Sequence, residues 1–142
     1  MNESEFNKTI CKKLAPLLTA DNKVWKIRDD MQGGVPDNFF LANGRTLWLE
    51  LKYLKTLPKR ETTNIKINLS ELQKLWINTL NDNAQNVGVM VGVGQGAKAQ
   101  AIILTPHEAI VSGISALAFS QRASTGYAAI AMKLKGAIYD GV

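Results

Sequence analysis

The chain has 142 residues, 46% of them apolar and 20% charged, which fits one compact globular domain and excludes an intrinsically disordered chain. A net charge of +5 and an isoelectric point near 9.4 point towards a polyanionic partner. Its single cysteine, Cys11, excludes an internal disulfide and argues against a thiolate zinc site, and no apolar run reaches the ~18 residues that span a bilayer.

The first residues, MNESEFNKTICKK, carry acids and amides where a secretory leader is basic and then apolar, so the chain is expected to act in the cytoplasm. From Glu3 to about Leu18, Phe6, Ile10, Leu14, Leu17 and Leu18 recur at helical spacing. Pro16 kinks that helix or stops it early, and Cys11 is expected to fill core space. After a turn at Asp21-Asn22, Val24 to Arg28 reads as a strand with Trp25 and Ile27 on one face and Lys26 and Arg28 on the other.

Gln32-Gly33-Gly34-Val35-Pro36 reads as a loop. Asp37–Ala42 and Thr46–Leu54 read as strands joined at Asn43-Gly44, a strong hairpin signal. Leu47-Trp48-Leu49 suggests that the second of these is central, covered on both faces. Residues 55–67 read as a basic, polar loop. Leu69–Leu80 reads as a helix with Leu69, Leu72, Trp76 and Leu80 along its buried side, capped by Asn68 with Glu71 reaching back. Val87–Val93 and Ala99–Leu104 read as strands around a turn at Gly94-Gln95-Gly96, and Thr105-Pro106-His107-Glu108 opens a third helix. In the tail, Tyr127–Leu134 reads as a further strand. The whole is an α/β domain with a mixed central sheet flanked by helices.

The chemistry concentrates in Gly34-Val35-Pro36-Asp37 and, thirteen residues after that aspartate, Glu50-Leu51-Lys52. Side chains alternate along a strand, so Glu50 and Lys52 share a face, and the hairpin brings Asp37 across from or near Glu50. Two adjacent carboxylates repel unless a cation lies between them, and Mg²⁺ (or Mn²⁺) accepts one or two carboxylates with waters and substrate phosphate. The Leu51 carbonyl is a further candidate ligand, and Lys52 is suited to neutralising charge on a phosphoryl transition state. Of the 17 Lys/Arg, 11 lie in the first 60 residues against 7 of the 12 acids. Lys55, Lys59 and Arg60 follow the site closely, either holding phosphates or lining a solvated loop, and Lys26 and Arg28 are further candidates for nucleic-acid contact. Gln73 is an amide beside an apolar stripe, which calls for a partner. His107 lacks an Asp or Ser constellation and is expected to be a surface residue.

Gly34-x-Pro36-Asp37, Glu50-x-Lys52 and a following helix with Gln73 resemble the PD-(D/E)XK nuclease superfamily, in particular the branch of VRR-NUC domains and Holliday junction resolvases. The resemblance runs from Glu3 to about Val93. It implies a restriction-endonuclease-like core in the order helix, three strands, helix, strand. It also implies that Glu3 helps to organise the metal site, directly or through a water, with Glu5 as substitute, and that Gln73 faces the active site. The implied activity is Mg²⁺-dependent hydrolysis of DNA by a homodimeric endonuclease selective for branched or four-way junctions. An exonuclease or a restriction- or repair-type nuclease is the alternative, and a non-catalytic nucleic-acid binder is the competing class. The chain is expected to be a single domain, 1–142, with 105–142 as an extension that could supply the dimer contact, and no organic cofactor or membrane is expected.

Overall fold

The structure is a computed structural model that describes residues 1–28 and 33–142. Gln32, the first residue of the expected glycine loop, lies outside that description. Among the described residues six strands form one sheet in sequence order: β1 (Lys23–Lys26), β2 (Asn38–Ala42), β3 (Arg45–Leu54), β4 (Val87–Val93), β5 (Gln100–Leu104) and β6 (Ser124–Thr125). All neighbours are antiparallel except β3 and β4, which run parallel across the crossover that contains α2 (Glu71–Asp82).

Alternation along the strands divides the core in two. Leu47, Leu49 and Leu51 face α1 (Glu3–Leu14) and α4 (Tyr127–Asp140), where they meet Phe6, Ile10, Leu14, Ile130 and Leu134. Val87, Val89, Val91 and Val93 face the other way, towards Ile77 of α2 and Phe119 of α3 (Ala116–Arg122). Gly92 alternates with these valines, and a β-carbon there would stand 2.5 Å from the Phe6 ring. That bare backbone lets the helix seat its largest anchor, whose full burial contributes roughly 1.5–3 kcal/mol.

The Asn43-Gly44 turn has φ of 54° and 68°, as a two-residue hairpin matching strand twist requires. α1 ends at Leu14 and tightens into a 3₁₀ turn over Ala15–Leu17, so Pro16 stops the helix early. The expected third helix is short: Thr105 and Glu108 make the reciprocal cap, and the chain continues as a π turn over Glu108–Ser112.

Three expectations are corrected. Tyr127–Leu134 is not a strand but the start of the 14-residue α4, whose Ile130, Leu134 and Ile138 recur every fourth residue on its buried side. The cap of α2 is Ser70 with Gln73, not Asn68 with Glu71. Leu72 is exposed rather than core-facing; Ile77 is the buried residue of that helix. Among the described residues no helix is long and apolar enough to cross a membrane.

A candidate carboxylate–lysine site at the open edge of β3

β3 is twice as long as β2, and the difference creates the site. Pairing ends at Asn38↔Leu49, so β3 runs on past its neighbour from Glu50 to Leu54 with that edge uncovered, while β4 still pairs the opposite edge. Backbone N–H groups left over by such an overshoot need acceptors. Two carboxylates supply them. Asp37 Oδ2 accepts from Leu51 N at 2.8 Å, and Glu3 Oε1, from the first turn of α1, accepts from Tyr53 N at 3.0 Å.

Between these bonds the Glu50 side chain turns into the layer beneath α2, where it is 2% exposed. Its Oε1 accepts from Gln73 Nε2 at 2.9 Å and stands 3.7 Å from Lys52 Nζ. Gln73 Oε1 in turn accepts from Lys52 Nζ at 3.1 Å and from Ser70 N at 2.9 Å. Only one orientation of the Gln73 amide serves all three partners. The capping residue of α2 thus orients both the acid and the lysine.

Burial foremost, and then the Asp37 charge, push the Glu50 carboxyl up to about 8; Lys52 opposes the shift, while a hydrogen bond with Asp37 and the more distant Glu3 charge add to it. Two ionised carboxylates have no hydrogen to share, which leaves Glu50 Oε2 buried without a partner among the described residues. Either a proton or a cation resolves that arrangement. Among the described residues no group of three or more His, Cys, Asp or Glu side chains forms a ready-made metal cage. The donor set is instead a carboxylate pair, and in an extended strand the Leu51 carbonyl leaves on the same edge as its N–H. Two carboxylates and a carbonyl are oxygen donors of the kind a hard divalent ion takes.

Gly34 fixes the approach to Asp37. Its φ is +80°, and a β-carbon would meet the Leu72 backbone at 2.6 Å. The loop therefore lies directly on the first turn of α2. Gly34→Ala is expected to destabilise the protein by about 2–4 kcal/mol in urea unfolding, summing a left-handed alanine and overpacking.

The structure brings Asp37, Glu50, Lys52 and Gln73 into one cluster and sets Glu3 at its rim. Lys55, Lys59 and Arg60 are exposed on the loop after β3, with no ion-pair partner among the described residues. Lys26 lies on the opposite face of the sheet from Lys52, its Nζ donating to Ser4 Oγ at 3.3 Å, and Arg28 is exposed beyond β1. Sequence reasoning missed Asn7 and Asn38, a buried amide pair directly behind Asp37. A polar residue between Phe6 and Ile10, on the apolar side of a helix, is the signal that could have found it. Cys11 packs beside that pair, and burial raises its thiol to about 11.

A mixed sheet with flanking helices defines an α/β fold. A solved structure that shares it is Hjc, a Holliday junction resolvase from the archaeal hyperthermophile Archaeoglobus fulgidus, similar at a TM-score of 0.54 over 91% of this chain and 98% of that one, at 13% identity. No known family profile matches the chain, and no curated protein matches its sequence.

Proposed function

We propose that the protein is a divalent-metal-dependent DNA endonuclease of the resolvase-like branch, selective for branched substrates such as four-way junctions. The observation that carries this reading is the cluster of Asp37, Glu50, Lys52 and Gln73, in which one buried Glu50 oxygen is held by the amide and the other has no hydrogen-bond partner among the described residues. The shared fold with a resolvase supports it.

In this reading Asp37, Glu50 and the Leu51 carbonyl hold the ion, with Glu3 assisting at the rim. When bound there, Mg²⁺ or Mn²⁺ would supply Lewis acidity towards a phosphate oxygen and a water. Lys52 places its ammonium against the phosphate, neutralising the charge that grows as the water oxygen bonds to phosphorus and the sugar oxygen leaves. Gln73 holds that ammonium and Glu50 in register, so neither has to reorganise during the reaction. Lys55, Lys59 and Arg60 draw in the sugar–phosphate backbone, with Arg28 further out. Cutting two symmetric strands calls for a homodimer. The apolar side of α4 is already buried within its own chain, so a contact through residues 105–142 would use their outer surface, where Val111, Leu117 and Met132 are exposed.

The test offers labelled four-way junction, duplex and single-stranded DNA, with ends free or blocked, in Mg²⁺, Mn²⁺ or chelator. Internal cuts in the junction that require the ion are expected. Cleavage of every substrate at the level of an Asp37→Ala control defeats the catalytic claim; loss of cleavage on blocking the ends turns it into an exonuclease.

A further inference from the structure

We propose that Asn7 and Asn38 are positioning residues that hold Glu3 and Asp37 at a fixed spacing along the open edge of β3, an inference that rests on the nuclease reading above. Apart from Glu50, these are the buried polar side chains among the described residues, at 6% and 1% exposure. They bond reciprocally: Asn7 Nδ2 donates to Asn38 Oδ1 at 3.2 Å, and Asn38 Nδ2 to Asn7 Oδ1 at 2.9 Å. The Cys11 thiol takes up the second lone pair of Asn7 Oδ1 at 3.4 Å. Two antiparallel hydrogen bonds between planar amides fix distance and orientation together, and flipping either amide breaks both.

The placement of the pair gives it a role. Asn7 lies one helical turn beyond Glu3 on α1, and Asn38 directly follows Asp37. The pair therefore joins the two elements whose carboxylates accept the neighbouring N–H groups of Leu51 and Tyr53. The apolar contacts of Phe6, Ile10 and Leu14 seat α1 on the sheet but are non-directional. A buried amide pair contributes little more to stability than apolar residues of the same shape. Its direction is what a leucine pair cannot supply.

The test is the double variant Asn7→Leu/Asn38→Leu, which removes both polar groups and leaves neither unpaired. It is expected to fold with unchanged or raised thermal stability. Amide hydrogen exchange at Leu51 and Tyr53 is expected to rise about tenfold or more, with Val89 to Val91 unaffected. Mn²⁺ affinity by calorimetry is expected to fall about 10–100-fold, the usual cost of losing a group that orients ligands. Wild-type exchange at both amides in a folded double variant overturns the proposal while leaving the nuclease reading intact. Faster exchange in a protein whose parent binds no Mn²⁺ upholds the spacing role and defeats the metal reading instead. Should the double leucine variant fail to fold, Asn38→Ser, which leaves room for a water to satisfy Asn7, carries the same expectation at Leu51 and Tyr53.

Discussion

Asp37→Asn and Lys52→Met are expected to abolish most DNA cleavage by two separable routes. In Asp37→Asn the amide oxygen still accepts the Leu51 N–H, so the edge of β3 keeps its partner and the fold survives. What is lost is one of the two negative charges that would hold the proposed ion. Removing groups that merely orient a ligand costs about 10–100-fold in metal affinity or activity, so losing the ligand itself should cost at least about a hundredfold. The loss should appear as weaker Mn²⁺ binding in calorimetry. Lys52→Met removes the ammonium but leaves Ser70 N to satisfy Gln73 Oε1. Metal affinity should then hold or rise, because a positive charge near the carboxylates has gone, while single-turnover cleavage falls by about 10²–10³, the usual value of one preorganised charge donor. If both variants lose metal affinity equally and neither changes the cleavage step, the division of roles between the two residues is wrong.

The second large effect is on stability. Glu50 titrates near 8 in the folded protein against an ordinary value of 4.5. The folded state therefore binds more protons than the unfolded chain between those values, and stability falls with rising pH across that window, by up to about 1.4 kcal/mol per unit. Below 4.5 both states are protonated and the loss disappears; above 8 both are ionised and it stops growing. Glu50→Gln keeps an acceptor for Gln73 and gains an N–H that Asp37 can accept. At pH 7 it should be more stable than the parent by on the order of 3 kcal/mol, with a flat profile from pH 5 to 8. Mn²⁺ should raise the melting temperature of the parent near pH 8 and leave Glu50→Gln almost unmoved. Parallel stability profiles for the two proteins would mean that Glu50 is not the buried acid it is taken to be.

The parts of this fold legible in sequence were those set by short-range chemistry. Asn43-Gly44 demanded a turn of one hand, and from that turn counting alone brought Asp37 across from Glu50 and set Lys52 on the same face. The valines of β4 and the heptad-like run of α1 were equally plain. What failed needed a longer view. The eight residues Tyr127–Leu134 hold too few turns to separate the periods of a helix and a strand; Ala137 and Ile138 settle it. Asn68 and Ser70 are both competent caps two residues apart, and the choice falls to Ser70 because its partner Gln73 also reaches Glu50 and Lys52. Asn7 and Asn38 are 31 residues apart, and nothing local to either announces the other. The upward shift of Glu50 depends on depth beneath α2, a quantity no spacing encodes.

The overshoot of β3 beyond β2 also governs how this domain can vary. Insertions are tolerated where they lengthen the tip around Asn43-Gly44 symmetrically, since every added pair leaves the far end untouched. A single added residue on one arm of the hairpin reverses which layer each later side chain enters, sending the acid and the lysine in among Phe6 and Leu134. Extending β2 backwards until it paired Leu51 and Tyr53 would take both N–H groups away from their carboxylates. Lineages of such proteins should therefore differ in hairpin length by even steps.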